Sequence, residues 1–289
     1  MRLIVWGLPL HSHTHSYIHQ AFSRAANYMN FETHWISNDL RSNDLLRKGD
    51  IVICCGVEDD KLLPKNGVNY VLHNSSRDDL RQESYINLQV YTHDVLKRET
   101  ENWGDLTFWQ KDNRTLYQPW ATDLLPQEIE KIQPFYANRS LQDVIWVGSI
   151  MTGIHGNYDE ILSYASFCEK NNINFKHVRG VSIEENISLL RKSRHSIAIQ
   201  GKWQVENGYV PCRIFKNISY GCLTFTNSKV VSDLLNLPHF NNMEDMFFAA
   251  ESHLLNPKKN ELNDVIQTVK KNHTYINRLQ NIIECIKNR

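Results

Sequence analysis

Between Arg2 and Asn74 short apolar runs alternate with helix-like segments, and this restricts the fold more than any other feature. "RLIVWG" (Arg2–Gly7) is a buried-strand run. "SYIHQAFSRAANYM" (Ser16–Met29) has helical spacing, with Tyr17, Ala21, Ala25 and Tyr28 on one side. "FETHWIS" (Phe31–Ser37) alternates as a strand does. "DLLRKGDIVICCG" (Asp44–Gly56) reads as a helix end, a turn at Lys48-Gly49-Asp50 and a buried strand, and "VNYVLHN" (Val68–Asn74) as a fourth strand. Strands separated by helices predict right-handed βαβ units and a parallel sheet.

From Asp79 to Gln118 the pattern loosens. "YINLQVYTHDVLKRE" allows a strand followed by a helix, and "LTFWQ" and "TLYQPW" look like short strands. The three prolines and polar turns of Gln118–Ser140 suggest a connection between domains. A second alternating block follows. It contains the strand "DVIWVGSI" (Asp143–Ile150), a helix over Asn157–Asn171 with Asn157 as N-cap, the strand "NFKHV", and a helix over Ser182–Ser193 with Ser182 and Glu185 as a capping box. "HSIAIQ" (strand), "PCRIFKNISY" (helix) and "CLTFTNS" (strand) come next, and the tail from Asn260 reads as one long amphipathic helix or a helix pair. A chain of 289 residues is long enough for two such blocks. The expected division is 1–125, 126–270, and a last helix over 271–289 that packs back on the first domain.

Lysine plus arginine equals aspartate plus glutamate, at 32 each. With no global field, the expected partners do not include nucleic acid, although local basic pockets stay open. The six cysteines show no CxxC and no disulfide framework, which suits reduced thiols and a cytoplasmic location. "MRLIVWGLPL" is too short for a signal core and reads as a first strand. No stretch approaches the ~20 apolar residues of a membrane span.

Gly208–Ser228, "GYVPCRIFKNISYGCLTFTNS", carries the most chemical information. Pro211 suits the first position of a ten-residue helix and Gly221 the residue after its end. Ile214, Phe215 and Ile218 form an apolar face, and Arg213, Lys216, Asn217 and Tyr220 a polar stripe at i, i+3, i+4 and i+7. Arg213 near the positive end of a helix dipole calls for an anion, and a phosphate-bearing ligand would supply it. The alternative is a solvated cationic face with Arg213 paired to a carboxylate such as Glu206. A second phosphate-holding loop is suggested by "WVGSIMTGIHGN", where Gly148 and Ser149 follow a strand end and Gly153 and Gly156 precede a helix. Both loops would lie at the carboxyl edge of one sheet, where α/β proteins bind ligands.

On these residues Asp143–Ser228 resembles the donor-binding half of GT-B glycosyltransferases, in particular the spore-maturation-protein-like and exostosin-like branches. The resemblance spans about 85 residues, "VGS…N…IL" followed by "SIAIQ…YVPCRIFKNISYGCLTFTNS". It implies an α/β fold with two Rossmann-like lobes (GT-B architecture) facing a central cleft. It implies that Arg213 faces a donor diphosphate with Gly148, Ser149 and Tyr209 nearby. Pro211 and Gly221 would then shape the loop, and Thr226, Asn227 and Ser228 would border the ribose or sugar. The family's acidic residue is Lys216 here, which points Lys216 toward phosphate as well. A weaker similarity, in "YVPCRIFKN", is to fucosyltransferase donor segments.

"HSHTHSYIHQ" places His11, His13, His15 and His19 after the first strand. A metal site, ordinary loop histidines and an acceptor-side role are all compatible with the spacing. In an inverting transferase His15, His13 or His11 would be the general base. "QGKWQVENGYVP" holds Gln200, Lys202, Trp203, Gln204, Glu206 and Tyr209, which either line a sugar pocket or form a packed loop. Trp120 would staple the domains, and Asp39 and Asp123 are candidate catalytic carboxylates of which neither stands out. Glu58-Asp59-Asp60 reads as a surface turn, so no metal and no cofactor is expected. The function implied is transfer of a sugar from a nucleotide-diphosphate donor to a hydroxyl of a glycan or related acceptor. Alternatives are a non-catalytic two-lobed sugar- or nucleotide-binding protein, or a nucleotide-sugar epimerase or hydrolase of similar fold.

Overall fold

The computed structural model describes residues 2–56, 58–91, 107–257 and 259–288. The chain forms two compact units, one of Met1–Val90, Leu106–Leu125 and Thr274–Arg289, the other of Tyr91–Asp105 and Pro126–His273.

The first unit is built on seven strands: β1 (Arg2–Trp6), β2 (Glu32–Ile36), β3 (Ile51–Cys55), β4 (Asn69–His73), β5 (Ser84–Gln89), β6 (Phe108–Gln110) and β7 (Thr115–Tyr117). Their order is β2-β1-β3-β4-β5-β7-β6, and every neighbouring pair is parallel except β6 with β7. β1, β3 and β4 are buried on both faces because they lie inside a parallel sheet, which explains their continuous apolar runs. Ile4, Trp6, Val52, Cys54, Tyr70 and Leu72 share one core with Leu46, Leu62, Val68 and Leu80. The helix expected after β5 lies outside the described residues. Helix Ser16–Tyr28 turns Phe22 against Tyr275 of the last helix, Tyr275–Lys287, with ring centroids 4.8 Å apart. That last helix is fastened by the buried Arg278, whose Nε donates to Pro119 O at 2.7 Å and whose Nη2 donates to Trp120 O at 3.2 Å.

The second unit contains β8 (Asp143–Val147), β9 (Asn174–Val178), β10 (Ser196–Ala198) and β11 (Thr224–Thr226), paired as β8–β9 and β10–β11, both parallel. β8 and β10 are linked through Ser193 and Arg194: Ile145 N donates to Ser193 Oγ at 2.8 Å, and Arg194 N to Asp143 O at 2.7 Å. The core gathers Val144 and Trp146, helix Tyr158–Lys170 (Ile161, Tyr164, Cys168), Ile197, Ile199 and Phe225, and helix Met243–His253 (Met246, Phe247). Ser182 caps helix Ile183–Leu190 by accepting from Glu185 N at 3.1 Å. Asn157 precedes helix Tyr158–Lys170 without capping it. Its Oδ1 accepts from Met151 N and its Nδ2 donates to Ile199 O, each at 3.3 Å, so it ties the preceding loop to β10. The tail is a pair, Lys259–Asn272 and Tyr275–Lys287, broken at a capping box formed by Thr274 and Asn277.

A buried ionic network ties helix Met243–His253 to β10. Arg194 donates Nε and Nη2 to the two oxygens of Glu251 at 2.6 and 2.7 Å, and Nη1 to the carbonyls of Arg139 and Leu141. His195 donates Nε2–H to Glu251 Oε1 at 2.6 Å, which leaves Nδ1 to accept from the Tyr164 hydroxyl at 2.8 Å. Burial alone would raise the Glu251 carboxyl, but the hydrogen bonds from Arg194 and His195 outweigh it and bring the pKa down to about 2. Because the folded pKa is depressed, this stabilisation is complete above the ordinary carboxylate range and lost as pH falls toward 2. Glu251→Gln is expected to cost roughly 3–5 kcal/mol at pH 7, since it strands Arg194 without its anion. Urea unfolding of the two proteins should show that gap narrowing as pH is lowered from 5 toward 2.

Candidate active site

Two loops of the second unit meet at the carboxyl ends of β8 and β10. A Cβ on Gly156 would collide with Met151 O in its own loop, and a Cβ on Gly201 with Gly156 O, so the start of loop 201–211 lies directly against the backbone of loop 151–157. The contact requires glycine at 201, and the turn of the first loop requires it at 156. Gln204 Nε2 donates to His155 O at 2.9 Å, and Lys202 N to Glu160 Oε1 at 2.9 Å, which pins the loops further. The short helix Lys202–Glu206 occupies what the sequence suggested was a loop.

Arg213 reaches back to the end of β8. Its guanidinium lies 3.6 Å from the centroid of the Trp146 ring and donates from Nη1 to Val147 O. Gly148 has φ +119°, and a Cβ there would stand 2.7 Å from Arg213 Nη2, so the residue after the strand is glycine for both conformation and space. Trp146 is itself held, its Nε1 donating to Ser149 O at 3.3 Å. Arg213 makes no ion pair with a carboxylate among the described residues. Glu206, the partner considered for it, lies instead 3.9 Å from Lys202. Burial pulls the guanidinium pKa down to about 10, the signature of a cation without a counterion. It stays charged at neutral pH.

The helix carrying Arg213 spans Cys212–Ser219, shorter than the ten residues expected, with Pro211 as the residue before it rather than its first turn. Pro211 has no side-chain acceptor to offer the first turn. Gly221 (φ +91°) ends the segment as expected. The polar stripe is not a solvent face. Tyr220 is wholly buried, and Asn217 is buried with its Nδ2 donating to Ile197 O at 3.3 Å, because the helix is covered on both sides. Lys216 is half-buried in the last turn, where the helix carbonyls favour a cation.

The other expected donor residues are placed differently. Thr226 and Ser228 are completely buried. The Thr226 hydroxyl accepts from Ser228 N at 3.2 Å, and Ser228 caps helix Lys229–Leu235. Asn227 clamps the backbone of Gln200, accepting from its N–H at 2.9 Å and donating to its carbonyl at 2.7 Å. These three side chains hold the loop, and of them only Asn227 is partly exposed. Tyr209 pairs by its backbone with Tyr91, the rings 5.3 Å apart, and its carbonyl accepts from Gln200 Nε2. Loop 148–157 is anion-friendly only at its Gly148 end, because Asp159 and Glu160 stand in the first turn of the following helix.

In the first unit the histidines gather at the carboxyl ends of β1, β3 and β4. His19 lies flat against Gly7, where a Cβ would collide with its ring, and its Nε2 bonds Cys55 O at 2.8 Å. His15 stands over Gly56 (φ +120°), stacked on His13 with centroids 5.2 Å apart, and edge-on to His73 and Trp120. His73, the last residue of β4, donates Nδ1–H to Leu88 O at 3.1 Å and meets Trp120 at 5.0 Å. Burial, reinforced by His73, His13 and His19, depresses the His15 pKa to about 3, and burial lowers His73 to about 4. His15 is therefore neutral at pH 7 and too weakly basic for the proton-accepting role its ordinary pKa suggested. His13 Nδ1 accepts from His15 N at 3.2 Å, so its proton sits on Nε2. His11 (φ 68°) contacts the Tyr17 hydroxyl through Nδ1 at 3.1 Å, and no described residue engages its Nε2. No group of three His, Cys, Asp or Glu residues among the described residues is placed to hold a metal ion.

Sequence reasoning missed Trp146 and His73. Trp146 looked like one more core residue of an apolar strand, and nothing in its spacing announces a platform for a cation. His73 had a usable signal, since it is a polar residue ending a buried parallel strand.

No family profile matches the sequence, and no curated protein matches it. Solved structures do. An alpha-glucosyltransferase in complex with UDP and a 13-mer DNA containing an HMU base aligns over 99% of both chains with TM-score 0.66 and 10% identity. A DNA-modifying beta-glucosyltransferase aligns over 99% of this chain and 100% of its own with TM-score 0.59 and 10% identity. The T4 phage beta-glucosyltransferase aligns over 100% and 98% with TM-score 0.56 and 10% identity. The chain thus has the fold of GT-B glycosyltransferases, α/β with two Rossmann-like lobes. The spore-maturation and exostosin branches are not among these structures. One expectation is overturned. Nucleic acid was excluded as a partner, yet a structure of this fold holds DNA beside UDP. A net charge of zero is a sum over the whole chain, whereas phosphates are met by local cations, so charge balance was no ground for exclusion.

The depressed His73 pKa fixes a pH dependence. The unfolded chain binds the proton more readily, so stability is full above 6.5 and falls as pH drops toward 4. Wild type should lose about 2–3 kcal/mol more than His73→Gln between pH 7 and 4.5, read by urea unfolding at each pH.

Proposed function

We propose that the protein transfers a glycosyl group from a nucleotide-diphosphate sugar to a hydroxyl acceptor, with the diphosphate held at Arg213. The observation that carries this reading is the half-buried guanidinium, stacked on Trp146 beside Gly148 with no carboxylate among the described residues. A diphosphate placed there supplies the missing counter-charge. It gains charge as the glycosidic bond breaks, and a fixed cation stabilises that change in the transition state. The shared fold with glucosyltransferases that hold UDP supports the same reading and makes UDP the first nucleotide to test.

An inverting reaction needs a base on the acceptor hydroxyl. His11 is exposed, and with Nδ1–H turned to the Tyr17 hydroxyl its Nε2 is left to accept a proton, whereas Nε2 of His13 already carries one; His11 takes that role in this proposal in place of His15. His15 and His73, neutral at pH 7, can hydrogen-bond an acceptor without adding charge. The acceptor is a hydroxyl of a glycan or of a modified base in DNA, and DNA belongs in the acceptor panel because structures of this fold contain it.

UDP, GDP, CMP and dTDP, and their sugar conjugates, are to be screened by thermal shift against wild type and Arg213→Ala. One nucleotide should raise Tm in the wild type, as binding to the folded state requires. Arg213→Ala should weaken it about 10–100-fold, the worth of a charge-assisted contact, while unfolding cooperatively. Retained affinity in that variant would overturn the phosphate assignment. His11→Ala should lower turnover with the donor KM unchanged, in a coupled assay of nucleotide release with glycan and with DNA acceptors.

A further inference from the structure

A second opening in the same unit is independent of the Arg213 contacts. It has a volume of ≈ 440 Å³ and is lined by Thr152, Tyr158, Asp159, Glu160, Trp203 and Glu206, with Ile154 and Lys202 at its walls. That volume lies in the range of about 300–1,000 Å³ typical of small-molecule sites. Its walls are fixed by the loop-to-helix hydrogen bonds Gln204–His155 and Lys202–Glu160 and by the Gly156–Gly201 contact. Trp203 is held edge-on by His155 at 4.2 Å and 79° and by Tyr91 at 5.2 Å and 75°, which sets its ring orientation.

The chemistry of the lining selects its ligand. Asp159 and the hydroxyls of Thr152 and Tyr158 make no side-chain hydrogen bond with another described residue, and Glu206 meets only Lys202, at 3.9 Å. An unengaged carboxylate and two hydroxyls beside an indole suit a molecule with hydroxyls on its rim and C–H groups on its faces. Three carboxylates against one ammonium disfavour phosphate and sulfate groups. Ile154, 71% exposed, and Met151, 55% exposed, add apolar surface at the mouth. We infer that this pocket binds a neutral saccharide of one or two rings. The site needs nothing from the donor reading, and if glycosyl transfer holds it supplies the place for a glycan.

The test is ligand-observed NMR and calorimetry on the full chain. Maltose, cellobiose and lactose serve as neutral probes, spermidine as a cationic one and a heparin disaccharide as an anionic one, each titrated separately from UDP. At least one neutral disaccharide should bind, about tenfold or more tighter than the heparin disaccharide. Trp203→Ala should weaken it about tenfold. Ile154→Arg, at an exposed position that does not threaten folding, should do the same by placing a long cation in the mouth. Binding of UDP should be unchanged in both variants. Binding of spermidine alone, no binding of any neutral probe to wild type, or neutral binding indifferent to both variants would each overturn the inference. Saccharide binding without UDP binding would leave it standing while removing the donor assignment, and UDP binding without saccharide binding would do the reverse.

Discussion

The stacking of Arg213 on Trp146, over a glycine that leaves it room, is the contact around which the carboxyl edge of the second unit's strands is organised. A guanidinium taken half out of water without a carboxylate is destabilised, as its lowered pKa records. The fold compensates through the indole face and one backbone carbonyl, which orient the charge without neutralising it. An ion pair would have neutralised the cation. Three constraints follow from this contact: an aromatic residue inside β8, a glycine immediately after it, and a helix that begins where β10's loop returns.

The same unit treats its other buried arginine in the opposite way. Arg194 is matched by a bidentate Glu251 and two carbonyls, with His195 and Tyr164 completing the hydrogen bonds. One arginine is fully compensated inside a structural network and the other is left open at the strand ends. The histidines of the first unit show a third treatment. Burial keeps His15 and His73 uncharged, so the edge of that sheet offers neutral ring nitrogens where the sequence suggested basic ones.

Much of the fold was legible because its signals are local. The apolar runs of β1, β3 and β4 and the N-cap Ser182 need only neighbours in the chain to be recognised, although the Glu185 side chain does not complete the expected capping box. Thr226, Asn227 and Ser228 looked like ligand-facing residues because their types suit ribose, and no local rule reveals that Asn227 is engaged by a backbone 27 positions away. The polar stripe of helix Cys212–Ser219 failed for a related reason. Periodicity separates two faces but does not say that both will be covered, as the burial of Tyr220 and Asn217 shows.

The sequence by itself determined the strand and helix alternation, the parallel sheet of the first unit, and the presence of Arg213 beside a glycine-bounded helix, since these depend on spacing and on the conformations glycine and proline allow. Tertiary structure decided which of the chemically suitable side chains remain available. Whether Arg213 meets Glu206 or Trp146, and whether His15 carries a proton, depends on solvent exclusion and on partners distant in the chain. Those are properties of the packed molecule, which residue type alone does not contain.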